Sequence, residues 1–419
     1  MRIQALSPEP AVICRSPNPK EVYTYSPALC VLPDGSLLAT LDFGVKPGCE
    51  RLLTQGRGQV MRSFDGGESW TPSGNFPFIH ARPFLAGKTV YILGHMDGVC
   101  GDIAIIRSDD GGSSWSSPAL LTEGQHWHQA SSNVIYANGC VYLAMERVVY
   151  DDCKGWNVST LAPVLMRARI GDDLTRAESW TFASEIAFRD LIDCSSLHYV
   201  GIPFYRTEER RSVTVCSTPV ERKCAPIGWL EAQVVQLHDP DHIWYDPSGH
   251  TFHLWMRAHT GCTGYAAILK VVENPDGSMT TLPESAPSGR PLVWLPCPGG
   301  QMKFHIEYDS RTALYWLLST QATDSMRRPE RMSPNAFGLP DNERQRLVLH
   351  FSKNCVDWCF AGLVDAAEGE NTSRHYAHMV IDRDDLLIAS RSGDSEALDA
   401  HNGNLITFHR VKHFRNLIY

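Results

Sequence analysis

The chain has 419 residues, 43% hydrophobic and 20% charged, with both signs mixed along its length, the composition of a globular protein with a large core. A formal net charge of -9 without a cluster of Lys and Arg argues against a nucleic-acid surface, and no run approaches the ~18 apolar residues of a membrane helix. The N-terminus lacks the apolar segment of a signal peptide, so a cytoplasmic location is expected, or a secreted or periplasmic one if a leader has been removed.

Thirteen cysteines at irregular spacing, with no CxxC pair, read as reduced buried thiols rather than a disulfide framework. No Ser/Gly/Pro-rich linker or charge block divides the chain. All-β closed architectures often run long as one unit, so a single domain over 1–419 is expected.

In chain order, the first apolar segment is Ala11 to Arg15, followed by Ser26 to Val31 and Ser36 to Leu41. The strand Gly58 to Arg62 then runs into Ser63, Asp65, Gly66, Gly67 and Trp70. That pattern recurs after the strand Ile103 to Arg107 as Ser108, Asp110, Gly111, Gly112 and Trp115, 45 residues on (63 to 108). Eroded copies stand at Asp173 to Trp180 and Ser352 to Trp358. The physics is a tight hairpin: Asp accepts bonds from its own turn, glycines supply positive φ, and Trp packs back beneath the sheet. Short strands continue at even spacing, among them Val141 to Met145, Thr251 to Arg257, Ala313 to Leu318, Arg346 to Phe351 and Leu386 to Ser390, with no long amphipathic helix between them. The pattern predicts an all-β fold, a β-propeller with Asp-box hairpins. Grouping by fours gives blades near 20–76, 80–121, 128–184, 190–228, 232–295, 301–364 and 375–411. The last lacks an outer strand, which Ala11 to Arg15 supplies to close the ring. Seven blades are expected, or six if 190–228 is an insertion.

In a propeller the starts of the innermost strands surround one central pocket. Reading those starts gives Tyr25, His80, Arg82, His126, His128, His198, Tyr199, Glu231, His242, Lys303, His305, His375, Tyr376 and His378. Any one of these histidines could be an ordinary hydrogen-bonded core imidazole. Recurrence of the same residue type at the same place in successive blades points instead to a functional pocket.

The repeated hairpin resembles the Asp-box, or BNR, motif of sialidase-like propellers, where it is structural. Trp229 to Leu237 followed by Trp255-Met256-Arg257 resembles the sialidase segment carrying a catalytic Glu and then a carboxylate-binding Arg, which implies those roles for Glu231 and Arg257. Arg344 to Leu349 resembles a later Arg-bearing strand, with Arg346 the residue chosen. Ser373 to Met379 stands where sialidases keep a nucleophilic Tyr, here Tyr376. The segment Tyr23 to Leu29 departs from that family, because Tyr25 occupies the place of the first Arg. A second resemblance is to propeller polysaccharide lyases of the ulvan and rhamnosyl-glucuronate type. It is carried by Pro298 to Asp309, with Lys303 and His305, by the C-terminal His401 to Arg410, and by Gln125 to Ala130, with His126 and His128.

Two reactions follow from these resemblances. In a β-elimination, the reading preferred from sequence, Arg257 and Arg346 grip a uronate carboxylate, His128 removes the C5 proton, and Tyr199, placed by position, protonates the leaving oxygen. In a hydrolysis, Tyr376 attacks the anomeric carbon and Glu231 takes its proton, with the acid unidentified. Tyr25, Arg82, His126, Lys303, His305 and His375 complete the expected substrate contacts. The expected partner is an acidic oligosaccharide or polysaccharide, with neither nucleic acid nor membrane. No cofactor is required, although a His-rich ring is also suited to Zn, and bound Ca is a further option. A glycan-binding propeller without catalysis is the third alternative.

Overall fold

The computed structural model describes residues 4–53, 57–96, 101–152, 157–192, 211–214, 221–224, 227–260, 263–327, 331 and 342–419. Six antiparallel sheets succeed one another along the chain, each entered at its innermost strand and left at its outermost. Blade 1 is Val22–Val31, Leu37–Val45, Gly58–Ser63 and Thr71–Phe76; blade 2 is Ile79–Ala86, Thr89–His95, Ile103–Ser108 and Ala119–Leu120. Blade 3 comprises Trp127–His128, Cys140–Val148, Leu161–Arg169 and Trp180–Phe182, with Ile135–Ala137 pairing the second strand. Blade 4 is Gly228–Val235, Thr251–His259, Tyr265–Glu273 and Met279–Leu282, and blade 5 is His305–Asp309, Leu314–Thr320, Arg346–Ser352 and Cys359–Ala366. Blade 6 takes Ser373–Asp382, Asp385–Gly393 and Leu405–Val411 from the C-terminus and Ala11–Arg15 from the N-terminus. That last pairing covers what would otherwise be an open sheet edge.

The ring is therefore six-bladed, not seven. A blade needs four strands, and among the described residues of 190–228 only Arg211–Thr214 and Glu221–Cys224 are strands, paired solely with each other. Blades 3 and 4 meet directly: Trp229 Nε1 donates to Leu161 O at 2.7 Å. The segment is an insertion between them.

All four hairpin motifs join a third strand to a fourth. In the first, Asp65 Oδ1 accepts from Ser69 N at 3.0 Å and Trp70 Nε1 donates to Gly67 O at 3.0 Å. Gly67 has a φ of 98° and a Cβ there would collide with Phe408 of blade 6, so only glycine serves. In the eroded copies Asn354 replaces the Asp, accepting from Asp357 N at 2.9 Å, and Trp180 Nε1 donates to Leu174 O at 2.9 Å. An Arg on the third strand of one blade clasps the turn of the next in four places. Arg410 donates to Gly66 O (2.7 Å), Arg62 to Gly111 O, and Arg167 to Gly277 O (2.9 Å), while Arg107 pairs with Asp173 (3.1 Å). Apolar faces packed between blades complete the core, the largest cluster running from Phe84 through Leu143 and Leu165 to Leu254.

One feature repeats on the innermost strands. Pairing slips between Tyr25 and Ala28, Ile79 and Arg82, Leu230 and Gln233, and His375 and His378. Inside each slip stands a non-glycine residue in the left-handed region: Ser26 (φ 47°), His80 (55°), Glu231 (63°) and Tyr376 (49°). Each bulge costs strain of order 1 kcal/mol or more and re-aims one side chain. Four blades repeat it at one level, the pocket end of the ring.

Candidate active site

The second strand of five blades brings a polar residue to that same level. Asp42 pairs with Tyr25, His95 with Ile79, Glu146 with His128, Arg257 with Leu230, and Arg391 with His375. Blade 5 supplies Arg344, two residues before its third strand. Contacts link these groups around the channel into one site.

Tyr376 is its centre. Arg257 Nη1 donates to the Tyr376 hydroxyl at 2.7 Å and lies 3.6 Å from Glu231 Oε2. The guanidinium carbons of Arg391, Arg344 and Arg257 stand 5.3, 5.6 and 6.0 Å from the Tyr376 ring centre. All three arginines are buried, whereas Tyr376 is partly exposed. Arg257 is fixed by donating Nε–H to Gln301 O at 2.7 Å, and Arg344 by His375 Nδ1 at 2.9 Å. Burial pushes Arg344 down to about 10, which leaves it charged at neutral pH. Burial, reinforced by Arg344 and Arg391, holds His375 neutral, well below the usual imidazole range. A neutral His375 can accept from Arg344 without repelling it. Glu231 Oε2, buried, makes no hydrogen bond among the described residues and so is an acceptor for substrate or for the Tyr376 proton.

Tyr25 lies under the Arg391 guanidinium at 3.9 Å, and its hydroxyl meets Asn402. Asp42 Oδ1 accepts from His80 N at 3.0 Å. Burial, opposed by that bond and by Ser26 and Arg391, pushes Asp42 up to about 6, where a carboxyl can carry a proton near neutrality. His80 Nδ1 and His95 Nε2 are 2.8 Å apart, and His95 Nδ1 is 3.3 Å from Met96 O. Since a carbonyl only accepts, His95 carries its proton on Nδ1, His80 donates from Nδ1, and His80 Nε2 is left as an acceptor. Burial keeps both rings neutral, His95 down to about 3. His128 stands 5.3 Å ring to ring from His80 and 3.6 Å from Glu146, whose other oxygen accepts from Ala232 N at 2.8 Å.

Tyr25, His128, Glu231, Arg257, His375 and Tyr376 thus converge. Other expectations do not. Arg346 is a surface residue paired with Glu343 at 3.4 Å, and Arg344, two positions earlier, holds the place expected for it. His126 turns outward toward Asp151, its side chain 59% exposed. Arg82 and Lys303 are wholly buried in the channel wall, bonded to Ser132 Oγ and Ala377 O, each at 2.7 Å. His305 lies deeper, against Glu307 and His378. His242 caps a loop near Asn354 O. Tyr199 and His198 lie outside the described residues. The sequence reading passed over Asp42, His95, Glu146, Arg344 and Arg391. All but Arg344 share a signal, a polar residue in the C-terminal half of an apolar second strand, as in Thr40-Leu41-Asp42 and Ala144-Met145-Glu146.

Among the described residues no three His, Cys, Asp or Glu side chains gather as a metal would require, and the seven cysteines whose side chains are described are free thiols.

No family model matches this chain, and no curated protein does. Solved structures do. The Hadza microbial sialidase Hz136 superposes with a TM-score of 0.52 at 15% identity, over 93% of this chain and 66% of that one. An α-L-arabinanase of Penicillium chrysogenum, complexed with arabinobiose, gives 0.52 at 11% identity over 98% and 99%. A Trypanosoma rangeli sialidase mutant displaying trans-sialidase activity gives 0.52 at 11% identity, over 99% of this chain and 60% of that one. The chain thus spans about two thirds or less of the two sialidases and the whole of the arabinanase. At these identities the likeness establishes the fold alone: the chain is a six-bladed β-propeller.

Proposed function

We propose that the chain is a glycoside hydrolase acting on an acidic sugar, with Tyr376 as nucleophile. The observation that carries this reading is the Tyr376 hydroxyl held at 2.7 Å by Arg257, on a left-handed bulge, within a ring of three guanidiniums. The phenol oxygen attacks the anomeric carbon and its proton passes to Glu231. Arg257 meets the charge that develops on the oxygen. Asp42 gives its proton to the departing glycosidic oxygen, then takes one from the water that releases the sugar from Tyr376. Two displacements retain the anomeric configuration. Arg344 and Arg391 suit a substrate carboxylate, which a phenol nucleophile tolerates better than a carboxylate nucleophile does. The neighbours named above, sialidases and an arabinanase, support sugar hydrolysis and lend no support to the elimination preferred from sequence. In that elimination His128 would be the base, yet it sits in the buried His80–His95–Glu146 group rather than beside the arginines.

The test is a panel of aryl glycosides of sialic and uronic acids, followed by NMR. Release of a saturated sugar with retained configuration is expected. An unsaturated product would overturn the reading in favour of elimination, and no turnover across the panel would favour glycan binding alone.

A further inference from the structure

The opposite mouth of the same channel holds a cavity of about 440 Å³, bordered by the far ends of the innermost strands of all six blades. That volume falls within the range of small-molecule sites. The cavity is closed off from the Tyr376 pocket. Val380 and Ile381, which border it, follow Tyr376 by four and five residues, a rise of roughly 13–17 Å along an extended strand. Between the two lies a layer of hydrogen bonds across blades: Ser131 Oγ to Ser26 O (3.0 Å), Asn133 Nδ2 to Val234 O (2.7 Å) and Ile306 O (3.0 Å), and Lys303 Nζ to Ala377 O (2.7 Å). A ligand in one mouth does not reach the other.

The lining is mostly aliphatic and aromatic, with the amides of Asn133 and Gln236, one acidic group, Glu307, and neither Lys nor Arg. Glu307 Oε1 is 2.9 Å from His305 Nε2, and its second oxygen makes no hydrogen bond to a described residue. Tyr136, Tyr308 and Tyr315 line the same cavity, Tyr136 from the blade across the channel. Tyr308 packs on Tyr315 with ring centres 4.8 Å apart and on His238 at 4.3 Å. Aromatic faces carry negative potential and attract cations, the more strongly where water is thin. An anion would find neither Lys nor Arg here, and a lone carboxyl is too few ligands for a metal.

From this arrangement we infer that the far mouth is a binding site for a small organic cation with an apolar body, its charge placed between Glu307 and the tyrosine faces. Burial pushes Glu307 up to about 8, so a bound cation takes the place of its proton. Binding a permanent cation expels that proton. The other titratable groups that line the cavity or touch Glu307 do not compete. Burial lowers His305, His378 and His238 and raises Tyr136, Tyr308, Tyr315 and Cys30, the last to about 12.

Choline and its uncharged carbon isostere, 3,3-dimethylbutan-1-ol, separate charge from shape. Titration calorimetry on the full chain should show choline binding at least about tenfold tighter than the isostere. Its affinity should rise as pH passes through about 8, with a proton released per choline bound below that pH. Glu307→Gln, nearly isosteric, should remove both the preference and the pH dependence. Tyr308→Leu, leaving the carboxyl in place, should weaken choline more than the alcohol. Equal affinity for the two probes, no saturable choline binding in the wild type, or unchanged binding in Glu307→Gln overturns the proposal.

Discussion

Arg257 stands between Tyr376 and Glu231, donating to the phenol oxygen at 2.7 Å and lying 3.6 Å from the carboxylate. In the proposed reaction one guanidinium thus aligns the nucleophile with its base. Tyr376→Phe should lower kcat by at least about 10³-fold, the loss typical when an acting nucleophile is removed. Glu231→Gln should cost about 10²- to 10⁴-fold, the range of a general base. Circular dichroism of both variants should match the wild type. A Tyr376→Phe enzyme that kept most of its kcat would remove the phenol from the mechanism.

Arg344 and Arg391 should distinguish substrates by charge. Arg344→Gln is expected to raise KM for an acidic glycoside at least about tenfold, since a lost charge-assisted hydrogen bond costs roughly 1.5–3 kcal/mol. A neutral analogue with the same leaving group should be affected far less. Equal losses on both would mean that the arginine positions Tyr376 and does not bind the substrate carboxylate.

In the proposed reaction Asp42 gives the activity a pH limb. It is raised to about 6 by burial, so the protonated acid is lost as pH climbs through that value, and kcat should fall above it. Asp42→Asn should abolish this limb together with most of the activity on poor leaving groups. Stability carries a matching sign. A carboxyl raised on folding contributes stability that is present below its unfolded pKa near 4 and lost as pH rises through about 6. Asp42→Asn should therefore raise Tm more at pH 8 than at pH 4. An equal change at both would contradict the buried, partly protonated carboxyl.

Buried neutral histidines set the acid limit. Burial holds His95 and His409 down to about 3 and His350 to about 4, while each takes up a proton in the unfolded chain below about 6.5. Their contribution is present above 6.5 and is lost as pH falls toward 4, each by about 1.4 kcal/mol per unit once fully engaged. Urea midpoints measured from pH 7 to pH 4.5 should drop steeply. A flat profile would contradict the neutral cluster.

The hairpin tryptophans test the blades independently of any chemistry. Trp180 is buried, and its Nε1 bonds Leu174 O. Trp180→Ala should cost about 3–5 kcal/mol, and the half-buried Trp115 less. Wild-type denaturant midpoints in both variants would count against the packing described here.

The propeller was legible because its turn chemistry repeats: a Ser, Asp, two glycines and a Trp at fixed offsets leave little freedom. The blade count was not. The segment 190–228 carries enough apolar residues to resemble a blade, and only pairing shows that its two described strands join no neighbour. In the site, Tyr376 and Glu231 were legible because each stands near the start of an innermost strand, in a segment that resembles a sialidase one. Arg344 was mistaken for Arg346 because both lie on one face of an extended segment, two residues apart. Which of them reaches the axis depends on where the strand ends. Asp42, His95 and Arg391 sit in the C-terminal halves of apolar second strands. A bulge on the neighbouring strand sets them at the level of the pocket, and bulge register has no mark in composition.

The most direct measurement is covalent trapping. An acidic sugar bearing fluorine beside the anomeric carbon and an activated leaving group slows release of a glycosyl-enzyme more than its formation. Peptide mass spectrometry after incubation should find one adduct per chain, on the peptide containing Tyr376, and none in Tyr376→Phe. Rapid cleavage of acidic glycosides with no adduct on Tyr376, or an adduct on a carboxylate such as Glu231, would contradict the account.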